Sequence, residues 1–114
     1  MDGRAIAFVA AQAADEKKAK DVIILDIQSL SPLCDYFVIA SGGSRVQVKA
    51  IAEAIEEKLA LRGIKVEHRE GNDKSGWILL DYGDIVVHIF HDQQRAFYDL
   101  ERLWGDAKRI ELNA

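Results

Sequence analysis

The sequence predicts a single α/β (α+β) domain over residues 1–114, a mixed five-stranded sheet with helices packed on it. Three observations carry that expectation. Residues 21–27 and 35–41 are apolar on both parities, as strands covered on both faces are. Two six-residue runs, 77–82 and 85–90, flank Gly83-Asp84, a hairpin signal. Between and around these lie three stretches whose apolar residues recur at helical spacing.

In chain order, residues 4–20 place Ile6, Val9, Ala10, Ala13 and Ala14 on one helical stripe in an alanine-rich stretch, which the polar run Asp15-Glu16-Lys17-Lys18 ends. The first strand follows, then a break at residues 29–32, where Pro32, the only proline, pushes Ser31 out of helical geometry. The second strand closes on Gly42-Gly43. A helix starts near Ser44, with Val48, Ile51, Ala52, Ile55 and Leu59 on one face, Lys49, Glu53, Glu56 and Glu57 opposite, and Gly63 as its C-cap. Ile64, Val66 and His68 alternate with charged residues, the period of an edge strand, and residues 70–76 read as a polar loop. After the hairpin, Asp92 is the N-cap candidate of a last helix carrying Phe97, Leu100, Leu103 and Trp104 on one face and ending at Gly105.

Size scaling gives roughly 18,000 Å² of surface for the unfolded chain and roughly 6,000 Å² for the folded one, enough burial for a core without a metal or disulfide staple. The net charge of −4 argues against a domain that lives on phosphate neutralisation, so no direct nucleic-acid readout is expected. Cys34 is the only cysteine, which excludes an intrachain disulfide and a multi-thiolate zinc site and marks it as a small buried residue. Apolar runs such as 37–40 and 77–80 fall far short of the ~20 residues that span a bilayer. The start, Met1-Asp2-Gly3-Arg4, does not read as a secretory leader, so a reducing cytoplasmic setting and no membrane are expected.

A two-residue Gly83-Asp84 loop pairs Trp77 with Phe90, Leu79 with His88 and Asp81 with Val86. Paired side chains share a face. One face is then Ile78, Leu80, Tyr82, Ile85, Val87 and Ile89, the core face. The other is Trp77, Leu79, Asp81, Val86, His88 and Phe90. Apolar groups rimmed by polar ones describe a partner-binding surface; the same residues would equally suit a face that the C-terminal helix covers, with the Trp77 ring buried and His88 a hydrogen-bonded core residue. The hairpin strip supplies only about 200 Å², whereas a stable interface wants roughly 800 Å² per partner, so neighbouring strands or the 70–76 loop must contribute.

Chemistry is sparse. His68, His88 and His91 lack metal-ligand spacing, since residues three apart in a strand point to opposite faces. Cys34 and Ser41 have no identifiable base. The turn Ser41-Gly42-Gly43-Ser44 could hold a phosphate at a helix start, which would make a nucleotide-binding or nucleotidyltransferase-like enzyme the alternative function. It matches neither the dinucleotide fingerprint nor the P-loop. The carboxylate pair that nucleotidyltransferases place on the next strand for two metal ions is missing, with leucine at position 79 beside Asp81.

Asp35-Tyr36-Phe37-Val38-Ile39-Ala40-Ser41-Gly42, Glu70-Gly71, the run from Gly76-Trp77 through Val86-Val87-His88-Ile89-Phe90, and Arg95-Ala96-Phe97-Tyr98-Asp99-Leu100-Glu101-Arg102-Leu103-Trp104 closely resemble the ribosomal silencing factor family, RsfS, also called Iojap-related. The resemblance covers about residues 4–112. It implies a non-enzymatic factor with no cofactor, built on a nucleotidyltransferase-like sheet without the catalytic carboxylates. It also implies binding to the large ribosomal subunit through ribosomal protein fourteen of that subunit, a steric block to joining of the small subunit, and lowered translation when nutrients are scarce. Carried over by position, the partner-binding residues are Trp77, Leu79, Asp81, His88 and Tyr98, with Asp73 and Lys74 on the adjoining loop. Trp77 and Leu79 would be apolar anchors, while Asp81 and Asp73 would meet basic groups. For Tyr98 and Trp104 the other reading is helix packing, and Arg95 is expected to pair with a carboxylate of the sheet or of its own helix. An open apolar face also invites a homodimer when the protein is free.

Overall fold

The computed structural model describes residues 1–72, 74–98, 102, 104–110 and 112, with the backbone alone for residues 96–98. Helix α1, Gly3–Glu16, begins at Asp2, whose carboxylate accepts the Ala5 N–H at 2.8 Å. Its buried face, Gly3, Ile6, Ala7, Ala10, Ala11, Ala13 and Ala14, is mostly alanine. Small side chains let its backbone lie close to the sheet and to the next helix. The chain leaves α1 through Lys18 at φ 61°, with Lys18 N–H on the Asp15 carbonyl and Ala19 N–H on the Ala14 carbonyl. A lysine thus occupies the left-handed position that glycine usually fills at a helix end.

Strand β1, Lys20–Asp26, pairs antiparallel with β2, Tyr36–Gly42. Helix α2, Arg45–Ala60, is capped by Ser44 Oγ on the Gln47 N–H at 3.1 Å, and Gln47 Oε1 reaches back to the Gly43 N–H at 2.7 Å. Gly63 closes α2 as expected, its N–H on the Ala60 carbonyl and that of Ile64 on the Leu59 carbonyl. Strand β3, His68–Asn72, pairs antiparallel with β4, Trp77–Asp81, and β4 with β5, Ile85–His91. Helix α3, Asp92–Tyr98, follows directly, and β6, Lys108–Ile110, pairs antiparallel with β1. The spatial order is β3-β4-β5-β2-β1-β6, with β2 and β5 parallel at the centre.

The sheet therefore has six strands, not five. Three residues of β6 are too few to show a period, and two of them are charged. The edge strand also begins later than the alternation suggested, at His68, and runs into the stretch expected to be loop. Of the residues proposed for the last helix face, 100 and 103 lie outside the described residues. The hairpin register is the expected one: Trp77 faces Phe90, Leu79 faces His88 and Asp81 faces Val86. Gly83 takes φ 86°, the left-handed geometry its two-residue turn requires.

All six residues of the expected hairpin core face are buried, packed with Ile24, Val38 and Ala40 beneath α1 and α2. A second, smaller cluster lies on the reverse face: Ile23, Leu25, Ile27, Cys34, Ile39 and Phe90, with Phe37, Trp77, Val86, Trp104 and Ala107 packed against it. The folded surface is 6469 Å², close to the scaling value.

Candidate functional site

Cross-strand pairing lines up three rows on the reverse face. Glu70, Leu79, His88, Ile39 and Ile23 form one; Asn72, Trp77, Phe90 and Ser41 a second; His68, Asp81, Val86, Phe37 and Leu25 a third. Each row runs from the polar edge strand β3 into the apolar centre of the sheet. Phe37 meets the Trp104 ring edge-on at 5.4 Å between centroids, so the chain after α3 covers the central half. The β4 half stays partly open, with Trp77, Leu79, Asp81 and Val86 all half-buried and β3 exposed. The covered-face reading fits the central half, while the β4 half keeps accessible area.

His88 belongs to the covered half. It is 5% exposed and Phe90 1% exposed, so in the isolated chain the imidazole expected to touch a partner offers little surface for one. The β5 position that carries it sits between β4 and β2, under Trp77 on one side and the Phe37 edge, 4.9 Å away, on the other. Trp77, His88 and Phe90 stack with centroid separations of 5.8 and 5.4 Å from Trp77. Trp77 Nε1–H donates to His88 Nδ1 at 3.3 Å. Indole is only a donor, so Nδ1 carries no proton and the neutral ring is protonated at Nε2. That Nε2 is buried without a partner among the described residues. Burial pushes the imidazole down to about 4. His88 thus acts through Trp77: it fixes the indole plane from below.

The open strip is apolar and acidic. Asp81 Oδ1 accepts the Gly83 N–H at 2.8 Å, which orients its carboxylate at the strip's end. Glu70 sits opposite Leu79 and is bonded by His68 Nε2 at 2.8 Å. Glu70, Gly71, Ser75, Trp77 and Leu79 line a shallow concavity of about 230 Å³. Its wall depends on Gly71, at φ 78°, where a Cβ would come 2.0 Å from the Trp77 carbonyl oxygen. Ser75 Oγ holds the turn before β4, accepting the Asn72 N–H at 3.2 Å and lying 3.0 Å from the Trp77 carbonyl. Glu70 escaped sequence reasoning because it was assigned to a loop; the alternation from His68 to Glu70, extended one residue further, was the available signal.

Of the other expected site residues, Lys74 is exposed beside the strip. Tyr98 lies in α3 with its side chain outside the described residues, and Asp73 is outside them altogether. Arg95 donates to the Asp21 carbonyl at 2.7 Å and to Ser41 Oγ at 2.8 Å, tying α3 to the bulged start of β1 and to the end of β2. Cys34 is buried, and burial, reinforced by the charges of Asp81 and Asp35, pushes its thiol up to about 11.

Three polar groups of the Ser41–Ser44 turn are engaged. Ser41 Oγ is held by Arg95, Gly43 N–H by Gln47 Oε1, and Ser44 Oγ caps α2. A Cβ at Gly42 would stand 3.1 Å from Val48, so that glycine serves helix–strand packing. These contacts occupy part of the turn on which the enzyme alternative rested. Among the described residues no three His, Cys, Asp or Glu come together as a metal site, and no helix is long and apolar enough to cross a membrane.

Comparison with known proteins gives a consistent result. A family model described as "RsfS: Ribosomal silencing factor during starvation" matches residues 2–114. The chain is 44% identical over 113 residues to the ribosomal silencing factor RsfS of Bacillus subtilis, covering 99% of this chain and 96% of the relative. It is 41% identical over 102 residues to the chloroplastic protein Iojap of Zea mays, covering 90% of this chain and 44% of that longer one. A crystal structure of a Chromobacterium violaceum protein superposes with a TM-score of 0.88 at 38% identity, covering 92% of this chain and 88% of the other.

Proposed function

The chain belongs to the ribosomal silencing factor family RsfS, and on that premise we propose that it binds the large ribosomal subunit through ribosomal protein fourteen of that subunit and blocks joining of the small one. What carries the reading is the half-open strip, where Trp77 and Leu79 offer apolar area between the carboxylates of Glu70 and Asp81. That combination suits a basic protein surface: aromatic and aliphatic anchors at the centre, complementary charge at the rim. The net charge of −4 and the carboxylates beside the strip steer that side of the chain toward a basic ribosomal protein.

Adding β3 to the hairpin raises the strip to about 300 Å², so the footprint extends to its neighbours, and Lys74, Asp73 and Tyr98 are the residues proposed there. His88 supports the strip without contacting the partner. Silencing then needs no bond-making. The molecule measures 33 × 33 × 27 Å, and on this reading silencing follows from the space it occupies. A second copy seated on the same strip would compete with the ribosome.

Leu79→Asp tests the reading. Position 79 is half-exposed in a paired strand, so the variant is expected to keep its circular dichroism spectrum while losing co-sedimentation with large subunits by at least about tenfold, the cost of one buried anchor. Unchanged sedimentation removes the strip from the function. A parallel pull-down with large subunits lacking protein fourteen tests the partner.

A further inference from the structure

Beside the strip, the carboxyl ends of the parallel strands β2 and β5 open onto a second concavity of about 250 Å³, lined by Arg45, Lys74, Gly76, His91, Gln93 and Gln94. Its chemistry is the opposite of the strip's. Among the described residues, two cations, an imidazole and two amides line it, with no carboxylate. Among the described residues neither Arg45 nor Lys74 is in an ion pair, while the nearby Asp92 is paired with Lys20 at 3.1 Å. His91 Nδ1 accepts the Gln93 N–H at 3.3 Å, which leaves the ring proton on Nε2 as a donor. The His91 N–H on the Gly76 carbonyl at 2.8 Å pins strand end to turn.

The position also fits a ligand. After β2 the chain enters α2 on one face of the sheet; after β5 it enters α3, whose Arg95 reaches Ser41 on the other. Crevices of this kind, outside strand ends where the chain departs to opposite faces, are where open α/β sheets bind ligands.

We propose that this concavity receives a backbone phosphate of an RNA strand, with Arg45 and Lys74 as cationic contacts and His91 Nε2 and the Gln93 and Gln94 amides as donors. The inference rests on the ribosome-docking reading and extends it, because the two concavities share one stretch of chain: Ser75 and Trp77 line the apolar one, Lys74 and Gly76 the basic one. A ribosomal protein seated on the strip would therefore bring its neighbouring RNA to the basic side. An RNA strand is favoured over a free anion because the cations are exposed and the site is open, geometry that suits a chain running past and offers a small ion little enclosure. Backbone contacts of this type position a complex without reading sequence.

The test has two arms on the full chain. In the first, hexauridylate, inorganic phosphate and polyglutamate are titrated separately while the His91 imidazole is followed by proton NMR. The expected result is a saturable shift with hexauridylate that weakens by about tenfold in the Arg45→Gln/Lys74→Gln double variant. No shift with hexauridylate at millimolar concentration, or one that persists in the double variant, overturns the site. Equal or tighter saturation by inorganic phosphate or by polyglutamate overturns the assignment to RNA. In the second arm, co-sedimentation with large subunits is measured against salt. The double variant is expected to reduce the salt slope by about two, one for each cation, whereas Leu79→Asp weakens binding at every salt with the slope kept. An unchanged slope in the double variant overturns the proposal. If the wild type fails to sediment with subunits, the docking reading falls and the NMR arm alone decides the concavity.

Discussion

Acidification should destabilise this protein through His88. Its imidazole titrates near 6.5 in the unfolded chain and is pushed down to about 4 in the fold. The folded-state value lies below the unfolded one, so between pH 6.5 and 4 the unfolded chain binds more protons. The stability contributed by keeping His88 neutral is fully present above pH 6.5 and is lost as pH falls toward 4. The difference of 2.5 between those values corresponds to about 3 kcal/mol at most. Against a total of roughly 5–15 kcal/mol that is a large share. Protonation also removes the lone pair at Nδ1 that accepts the Trp77 N–H, so the strip loses its floor at the pH where stability drops. Urea unfolding followed by tryptophan fluorescence, from pH 8 down to 4, measures the effect. Because carboxylates contribute to acid denaturation as well, the informative quantity is the difference between the wild type and His88→Phe, which keeps an aromatic ring in the stack and removes the titration. The wild type should lose up to about 3 kcal/mol more than the variant over that interval. Parallel pH profiles, or a His88 resonance titrating near 6.5, would refute the argument.

Three further outcomes follow from local geometry. Lys18→Gly relieves a left-handed lysine at the end of α1 and should stabilise by about 1 kcal/mol, raising the melting temperature by about 4 °C in calorimetry. Gly71→Ala drives a methyl group into the Trp77 carbonyl and should destabilise by about 2 kcal/mol in urea unfolding, with weaker subunit binding because the wall of the strip shifts. Cys34, with its thiol pushed up to about 11, should carry about a hundredfold fewer thiolates than an ordinary cysteine and should react with a thiol reagent in the native state only as the protein opens.

Much of the framework was readable from residue order. Strand β2 declared itself because both of its faces are buried, which forces apolar residues onto both parities. The hairpin register followed from a two-residue turn, since loop length and strand period leave one pairing. Helix limits followed from Ser44 and Gly63, which satisfy backbone groups locally. Where local signals were thin, reading failed. Strand β6 exists because β1 offers an edge 82 to 86 residues earlier in the chain, and nothing in Lys108-Arg109-Ile110 announces it. Glu70 was assigned to a loop because Gly71 and Asn72 are poor strand formers, yet the exposed edge of β4 pairs with them.

The candidate site divides along the same line. Sequence alone determined which residues share the reverse face, because alternation in a paired strand is a local rule that needs no knowledge of neighbours. Only the tertiary structure decided which of them meet solvent. Leu79 and His88 are partners in one row, and what separates them is that β4 has exposed β3 at its side while β5 has β2, with Phe37 and Trp104 packed above it. Burial depends on what the rest of the chain lays over a position, and that is set by contacts between residues remote in sequence. The same holds for the basic concavity, whose Arg45, Lys74 and His91 come from three separate segments joined only when β2 and β5 pair.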